Sequence, residues 1–195
     1  MSRLRVLIAV DEANLGGIAW LLKKKVDWNR LREYLASEDE GRELVECAVY
    51  VGLPPAMPEF AEKREKKVGF VEWLRHNGFL VVTKDGTPAE PGKYKANVDV
   101  LMAIDTLDLA REIKPDIVVA VTGDSDFAYL AEKLRRSGIR VEIASVDQVR
   151  SVQLKKAANS VIDLREVFNQ FESMGGEGEN NRVGTAGVLD DTYRV

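Results

Sequence analysis

Acidic side chains follow two apolar runs of this sequence. The first run, Val6–Val10, ends at Asp11, and Asn14 comes three residues later. The second run, Ile117–Thr122, is rich in β-branched residues and is followed by the segment 123–126 (Gly-Asp-Ser-Asp). Continuous apolar runs of this length are typical of buried parallel strands. The carboxyl ends of such strands are the places where open α/β sheets bind their ligands.

Neighbouring strands would bring these acids into one crevice. Asp11, Asp124 and Asp126 then converge at the strand ends, and Asp99 joins them from the start of the preceding helix. Carboxylates about 4 Å apart repel by roughly 1 kcal/mol per pair in water and about four times more near a protein surface. The site is therefore favourable only if protons stay bound or a cation binds. Mg²⁺ and Mn²⁺ prefer oxygen ligands and can activate water and clamp a phosphodiester for in-line attack.

The composition excludes several other kinds of site and protein. The single cysteine, Cys47, excludes a disulfide-stapled domain. With only this cysteine and one histidine, His76, the composition argues against a Cys/His zinc site and a Ser-His-Asp triad. The sequence contains neither the phosphate-binding loop G-x-x-x-x-G-K-S/T nor the dinucleotide-binding motif G-x-G-x-x-G. The run Val6–Val10 is too short to cross a membrane, so we expect a cytoplasmic protein.

The net charge of −4 argues at first against nucleic acid as a partner. Five acids and two bases between Glu172 and the C-terminus carry −3 of it, so residues 1–171 are nearly neutral. The last residues contain five glycines and no apolar period. We therefore predict one domain over residues 1–172 and a disordered tail over residues 173–195.

The alternation of elements predicts an α/β fold. Further strands are expected over Leu44–Val51, Phe79–Thr83, Ile139–Ala144 and Ser160–Leu164. Between the strands, the apolar periods predict four helices. The first is capped by Asp27, and the others are Glu59–Asn77, Asn97–Ile113 and Asp126–Ser137. Gly78 ends the second helix and Gly138 ends the last. The predicted architecture is a mainly parallel, Rossmann-like sheet of five or six strands with helices on both faces.

Most of these acids also have a purely structural interpretation. Asp124 or Ser125 could cap the following helix, with Asp126 in its first turn, and Asp99 could be a first-turn acid of a helix capped by Asn97. Asn14 could simply form a turn. Asp105 shares an apolar helix face, so it is expected to be hydrogen-bonded in a buried structural role or to lie in the second shell of a metal.

Basic residues are spread over several segments. They form either a rim for a nucleic-acid backbone or an ordinary solvated surface. The basic candidates are Lys66, Lys67, Lys84, Lys93, Lys95, Arg150, Lys155 and Lys156, and Tyr94 lies among them.

Four motifs, in order from about Arg5 to Val167, resemble the NYN domain family, the LabA-like branch of the PIN-like nucleases. They are Asp11-Glu-Ala-Asn14, Lys95-Ala-Asn-Val-Asp99-Val, Thr122-Gly-Asp-Ser-Asp-Phe127, and Ser151-Val-Gln-Leu154 followed by Ala157-Ala-Asn159 and Ile162-Asp-Leu164. The family pattern often has glycine where this chain has Asn97.

The resemblance implies a PIN-like, Rossmann-like sheet, Mg²⁺ or Mn²⁺ at the aspartates, and RNA, most commonly single-stranded, as the substrate. By position, Asp11, Asp99, Asp124 and Asp126 would be the catalytic metal ligands. Asn14, Lys95 and Ser125 would contact the substrate.

Three functions are compared on these grounds. The first is a divalent-metal-dependent ribonuclease, and the second is a non-catalytic RNA- or protein-binding regulatory module, which the acidic overall charge favours. The third, a phosphatase of the haloacid dehalogenase type, requires D-x-D after the first strand, where this chain has Asp11-Glu-Ala. An exposed sheet edge or apolar helix faces could also support a homodimer.

Overall fold

The computed structural model describes residues 3–174, and a parallel sheet of six strands forms their centre. A two-stranded antiparallel hairpin, β4–β5, lies apart from it. The strands are β1 (Leu4–Asp11), β2 (Arg42–Leu53), β3 (Leu80–Asp85), β4 (Thr87–Pro88), β5 (Tyr94–Lys95), β6 (Ile117–Val121), β7 (Arg140–Ser145) and β8 (Ser160–Asp163). The order across the main sheet is β3-β2-β1-β6-β7-β8.

Helices cover both faces of this sheet. They are α1 (Glu12–Leu22), α2 (Trp28–Leu35), α3 (Ala61–His76), α4 (Asp99–Ile113), α5 (Ala128–Arg136), α6 (Val152–Ala157) and α7 (Arg165–Phe168). One hydrophobic core packs α1, α2, α3 and α7 against the sheet, and the other packs α4, α5 and α6 against the opposite face. The predicted parallel sheet with helices on both faces is confirmed.

The predicted strands all occur, with ends that differ by at most two residues. Asp27 caps α2 by accepting a hydrogen bond from the Arg30 N–H at 3.0 Å. Gly78 and Gly138 have φ values of 78° and 84°, the left-handed backbone expected where a helix ends. Helices α1, α6 and α7 were not predicted, since α1 carries few polar residues and the other two are short.

The chain reverses its direction of winding at β1. It passes from β1 to β2 and β3 on one side, and later returns to place β6, β7 and β8 on the other. The carboxyl ends of β1 and β6 are therefore neighbours, since Val10 pairs with Val121. A crevice for a ligand opens at such a switch point.

Polar residues line this edge on the face that carries α4, α5 and α6. Asp11 pairs with Tyr50 of β2, and Ser145 of β7 pairs with Asp163 of β8. Thr122, the residue after β6, continues the row between Asp11 and Ser145. Asp11, Thr122 and Ser145 are buried, although buried positions of a parallel sheet are normally apolar. This row of buried polar residues is therefore a part of the sheet whose composition a hydrophobic core does not explain.

The end of the described chain returns to the first helix. Ser173 bridges to Lys24, and the Met174 N–H donates to the Lys23 carbonyl at 2.9 Å. The predicted disordered tail otherwise falls outside residues 3–174 and stays a prediction.

Two further features concern the cysteine and the helices of the described chain. Cys47 is buried in the first core, and burial raises the pKa of its thiol to about 12, so it is a packed rather than a reactive thiol. Within residues 3–174, no helix has the length and apolar character needed to cross a membrane.

Candidate metal centre

Three carboxylates meet where the crevice opens. One oxygen from each of Asp99, Asp124 and Asp126 lies within 4.8 Å of the others. Asp99 begins α4, whereas Asp124 and Asp126 belong to the tight 3₁₀ turn that leads from β6 into α5. Asp99 and Asp124 are half-buried and Asp126 is exposed. The three acids therefore form a cluster that solvent reaches from one side.

Asp11 is a fourth, buried acid close to this group of three. Its side chain is only 6% exposed, and one of its oxygens accepts the Asn14 N–H at 3.1 Å. Burial raises the pKa of Asp11 to about 6, the hydrogen bond from Asn14 opposes the rise, and the charges of Asp99, Glu12 and Asp124 add to it. The four predicted acids thus share one electrostatic environment.

The start of α4 holds Asp99 in place. The Asp99 N–H donates to the Asn97 side chain at 2.9 Å, and the Lys84 ammonium donates to the Asn97 carbonyl at 2.9 Å. Burial raises the pKa of Asp99, the charges of Asp124 and Asp126 add to the rise, and Lys84 opposes it. Lys84 is therefore a cation of this site. From the sequence alone it was only one of the candidates for the basic rim.

Gly52 allows the segment before α4 to lie against the end of β2. A Cβ atom at this position would lie 2.6 Å from the Ala96 Cβ and 2.9 Å from the Ala96 carbonyl oxygen. No side chain fits there without displacing the Ala96 backbone. This close approach brings Asn97 and Asp99 to the edge of the sheet.

The structural interpretation of the turn acids is confirmed, and it leaves their oxygens available. Asp124 caps its turn by accepting the Asp126 N–H at 2.9 Å through Oδ1. Asp11 caps α1 in the same way. Each cap occupies one carboxylate oxygen, and every carboxylate has two with several lone pairs. Capping therefore fixes the direction of these side chains and is compatible with a metal.

Asn14 joins the two strand ends. Its Oδ1 accepts the Gly123 N–H at 2.9 Å, so it ties the start of α1 to the turn that carries Asp124. The Gly123 carbonyl in turn accepts the Ser151 N–H at 2.9 Å, and the Ser151 hydroxyl caps α6. A substrate contact for Asn14 remains a prediction, whereas its positioning role was not foreseen from the sequence.

Gly123 cannot be exchanged for a larger residue without moving this turn. A Cβ atom there would lie 2.5 Å from the Val149 carbonyl oxygen and 3.0 Å from Ser145 Oγ. The segment 146–151 therefore lies directly against Gly123 and packs against the turn that carries Asp124. Ion pairs hold that segment: Arg150 contacts Asp147, and Arg165 contacts both Asp147 and Asp163.

The profile of the NYN domain family matches residues 5–166, most of the chain. The chain belongs to the NYN domain family. It is 26% identical over 178 residues to the "Low amplitude and bright protein LabA" of Synechococcus elongatus, a match that covers 86% of this chain and 88% of the relative. A crystal structure of a protein of unknown function from Vibrio parahaemolyticus is similar with a TM-score of 0.66 and 25% identity, covering 86% of this chain and 96% of that one. The predicted family and fold are thereby confirmed.

NYN and PIN-like domains in general are nucleases that bind RNA and use divalent metals. In this NYN domain, Ser125 lies half-buried in the turn between two of the acids. Lys95 is exposed in the β4–β5 hairpin, where its charge acts on Glu90. Substrate contacts of Ser125 and Lys95 remain predictions.

Asp105 has a hydrogen-bonding partner in the core of this NYN domain. The hydroxyl of Tyr50, which is fully buried, donates to Asp105 Oδ2 at 2.8 Å. Burial, together with the neighbouring Asp105, raises the pKa of Tyr50, although Thr106 opposes the rise. The bond fastens α4 to β2, which agrees with the buried structural role considered for Asp105.

We expect Tyr50→Phe to lower the free energy of unfolding by about 1–3 kcal/mol, because the Asp105 carboxylate loses its donor. Tyr34→Phe is the matched control, since the Tyr34 hydroxyl bonds to the exposed Glu166 at 2.9 Å and its loss should change stability by less than about 0.5 kcal/mol. Urea unfolding of both variants measures the difference. Equal losses would contradict the structural role of the Tyr50–Asp105 bond.

Much of the predicted basic rim is already neutralised. Lys67 contacts Glu12 at 2.8 Å in a largely buried pair. Lys66 contacts Glu62, Lys93 contacts Glu90 and Arg150 contacts Asp147. For these residues the ordinary solvated or ion-paired surface is the better interpretation. The lysines of α6, Lys155 and Lys156, are exposed.

Glu12 is a further acid that the sequence did not single out. It follows Asp11 directly, is buried, and acts on the Asp11 pKa. A run of two acids after a buried strand was the available signal. The pair that Glu12 forms with Lys67, 55 residues away, could not be read from that run.

Proposed function

We propose that this protein is a divalent-metal-dependent ribonuclease that hydrolyses phosphodiester bonds of RNA at the cluster of Asp11, Asp99, Asp124 and Asp126. One observation carries the proposal. Three carboxylates from two separate segments lie within 4.8 Å of one another above a buried fourth, whose pKa is raised to about 6. Perturbed carboxylates gathered in a cleft are typical of functional sites rather than of a random acidic surface.

The donor set fits a hard divalent cation. All the side chains that face each other here are carboxylates, and oxygen ligands are those that Mg²⁺ and Mn²⁺ prefer. A cation would also offset the burial of Asp11 and Asp99 and the repulsion from their acidic neighbours, which together raise the pKa values of both groups. Asp99, Asp124 and Asp126 would hold the ion, and the deeper Asp11 would hold it or a water beside it.

When bound, such an ion would supply charge neutralisation at the phosphate and activation of water for in-line attack. The chain's own residues position the reacting groups. Asp124 is directed by its bond to the Asp126 N–H, and Asn97 directs the start of α4. Asn14 holds the two strand ends together through Gly123. Lys84, next to Asp99, is placed to attract a phosphate oxygen of the RNA.

Cleavage of end-labelled single-stranded RNA tests this proposal directly. Purified protein is incubated with Mg²⁺ or Mn²⁺ and, in parallel, with excess chelator, and the products are resolved by length. We expect shortened products only where the divalent ion is present. A parallel thermal melt with and without the ion reports whether the metal binds.

Cleavage that continues in chelator would contradict the metal-dependent mechanism. A protein that the ion stabilises but that leaves every RNA intact would contradict catalysis. That second result would support the alternative function, a non-catalytic module that binds RNA or protein. The ion pairs of Lys66, Lys67 and Lys93 also favour this alternative, because they neutralise positive charge that a tight nucleic-acid binder would use.

A further inference from the structure

The most exposed apolar side chains lie on the helices that cover one face of the sheet. Among the described residues, four large hydrophobic side chains are more than 55% exposed, and all of them lie on α4, α5 and α6. These three helices cover the face of the sheet on which the acids lie. The four are Val100 (68%), Ile104 (59%), Tyr129 (65%) and Val152 (69%).

Tyr129 is the aromatic member of this group. It lies three residues after Asp126, and the intervening segment is a 3₁₀ turn running into α5. A 3₁₀ turn has three residues per turn, so Asp126 and Tyr129 lie on the same side, about one turn apart. The exposed Tyr129 therefore lies on the side of α5 that Asp126 occupies.

Cations continue the same line along α5. Lys133 is one helical turn beyond Tyr129, and Arg136 is almost one turn further. The Arg136 guanidinium lies 5.9 Å from the Tyr129 ring centroid, and its ion pair with Glu132 is long, 3.4 Å, and exposed. From Asp126 to Arg136 this line spans about 15 Å at the helical rise per residue.

We propose that Tyr129 is a base-stacking subsite for single-stranded RNA, with Lys133 and Arg136 contacting the phosphates that follow. The inference rests on the proposed nuclease function, because it places the stacked nucleotide beside the bond held at the carboxylates. Sites for single strands combine a cationic track along the backbone with aromatic rings on which successive bases stack. Tyr129 lies between the carboxylate cluster, which would hold a phosphate through its metal ion, and two cations further along α5, so the order provides for one base with phosphates on either side.

A nucleobase fits this surface better than a protein partner does. The core of a protein interface is depleted of charged residues, whereas Tyr129 is flanked by the acids on one side and by Lys133 and Arg136 on the other. A base offers a flat π face to the ring and leaves its phosphates to the cations.

Binding of a short labelled single-stranded RNA tests the subsite. Affinity is measured by fluorescence anisotropy with Ca²⁺ in place of Mg²⁺, and cleavage is measured separately with Mn²⁺. We expect Tyr129→Ala to weaken binding about 10- to 100-fold and Tyr129→Phe to retain most of it, since phenylalanine keeps the ring. An RNA with one abasic position, moved along the strand, should weaken wild-type binding at one position and have no such effect on Tyr129→Ala.

Trp20→Ala is the matched control, because Trp20 is another exposed aromatic residue (52%) on α1, which packs on the opposite face of the sheet. Its RNA affinity should equal that of the wild type. Equal affinity of Tyr129→Ala and the wild type would overturn the stacking subsite, even where Mn²⁺-dependent cleavage supports the nuclease. Tyr129-dependent binding without any cleavage would support the subsite and contradict catalysis. A wild type that neither binds nor cleaves RNA overturns both.

Discussion

Replacement of Asp124 by asparagine is expected to reduce metal-dependent cleavage of single-stranded RNA by about a thousandfold, with little change in the fold. A bound divalent ion contributes several kcal/mol of transition-state stabilisation, and each 1.36 kcal/mol corresponds to a factor of ten in rate. Asp124 is the acid whose charge acts on both Asp11 and Asp99. Its loss should therefore weaken the whole cluster.

The fold should survive because asparagine caps helical turns about as well as aspartate. The variant keeps an Oδ1 that can accept the Asp126 N–H, the bond that Asp124 makes. Initial rates with Mn²⁺, measured at saturating ion, give the comparison, and circular dichroism checks the fold.

Asp108→Asn is the matched control for this experiment. Asp108 also lies on the carboxylate side of the sheet, on α4, but it is exposed and paired with Arg111 at 3.3 Å. Its cleavage rate should remain within about twofold of the wild type, as surface changes of this kind alter energies by less than about 0.5 kcal/mol. Cleavage by Asp124→Asn at the wild-type rate would contradict the proposed site.

Asp11→Asn is expected to stabilise the metal-free protein at pH above about 7 by up to about 3 kcal/mol. The pKa of Asp11 is raised from 3.8 to about 6, chiefly by burial, so its charged form is unfavourable in the folded state. Between pH 3.8 and about pH 6, Asp11 keeps its proton in the folded chain but has released it in the unfolded chain. The free energy of unfolding of the wild type therefore falls as the pH rises through that window.

The asparagine variant lacks this titration and retains the cap on α1, because asparagine can also accept the Asn14 N–H. The difference between the two proteins should be small near pH 4 and complete above about pH 7. Thermal melts in chelator over this range provide the measurement, with an expected shift of roughly 6–12 °C for a chain of this size. Adding the divalent ion should stabilise the wild type more than the variant.

Asp27→Asn serves as the control for the cap itself. Asp27 caps α2 through the Arg30 N–H at 3.0 Å and is exposed, so its substitution should shift stability by less than about 0.5 kcal/mol at either pH. A pH-independent difference between Asp11→Asn and the wild type would contradict the raised pKa of Asp11. A wild type more stable than Asp11→Asn at neutral pH in chelator would contradict the cost of its buried charge.

The elements of the fold could be predicted from local sequence because each has a local physical cause. A parallel strand covered on both faces must be apolar at successive positions, and Val6–Val10 and Ile117–Val121 are. Gly78 and Gly138 ended helices where the left-handed backbone favours glycine. The acids of the cluster were also recognisable, since Asp11 ends one buried strand and Asp124 follows another after Thr122 and Gly123, at the strand ends where open α/β sheets bind ligands.

Only the tertiary structure decided which groups are partners. Asn14 accepts from Gly123, 109 residues away, and Tyr50 bonds to Asp105, 55 residues away. Lys84, rather than Lys95, was brought beside Asp99, and Lys67 was brought to Glu12. Such contacts depend on strand order, on register and on the direction in which each side chain leaves its element. Local sequence therefore determined the chemistry available to this protein, and the packing of distant segments determined where that chemistry is assembled.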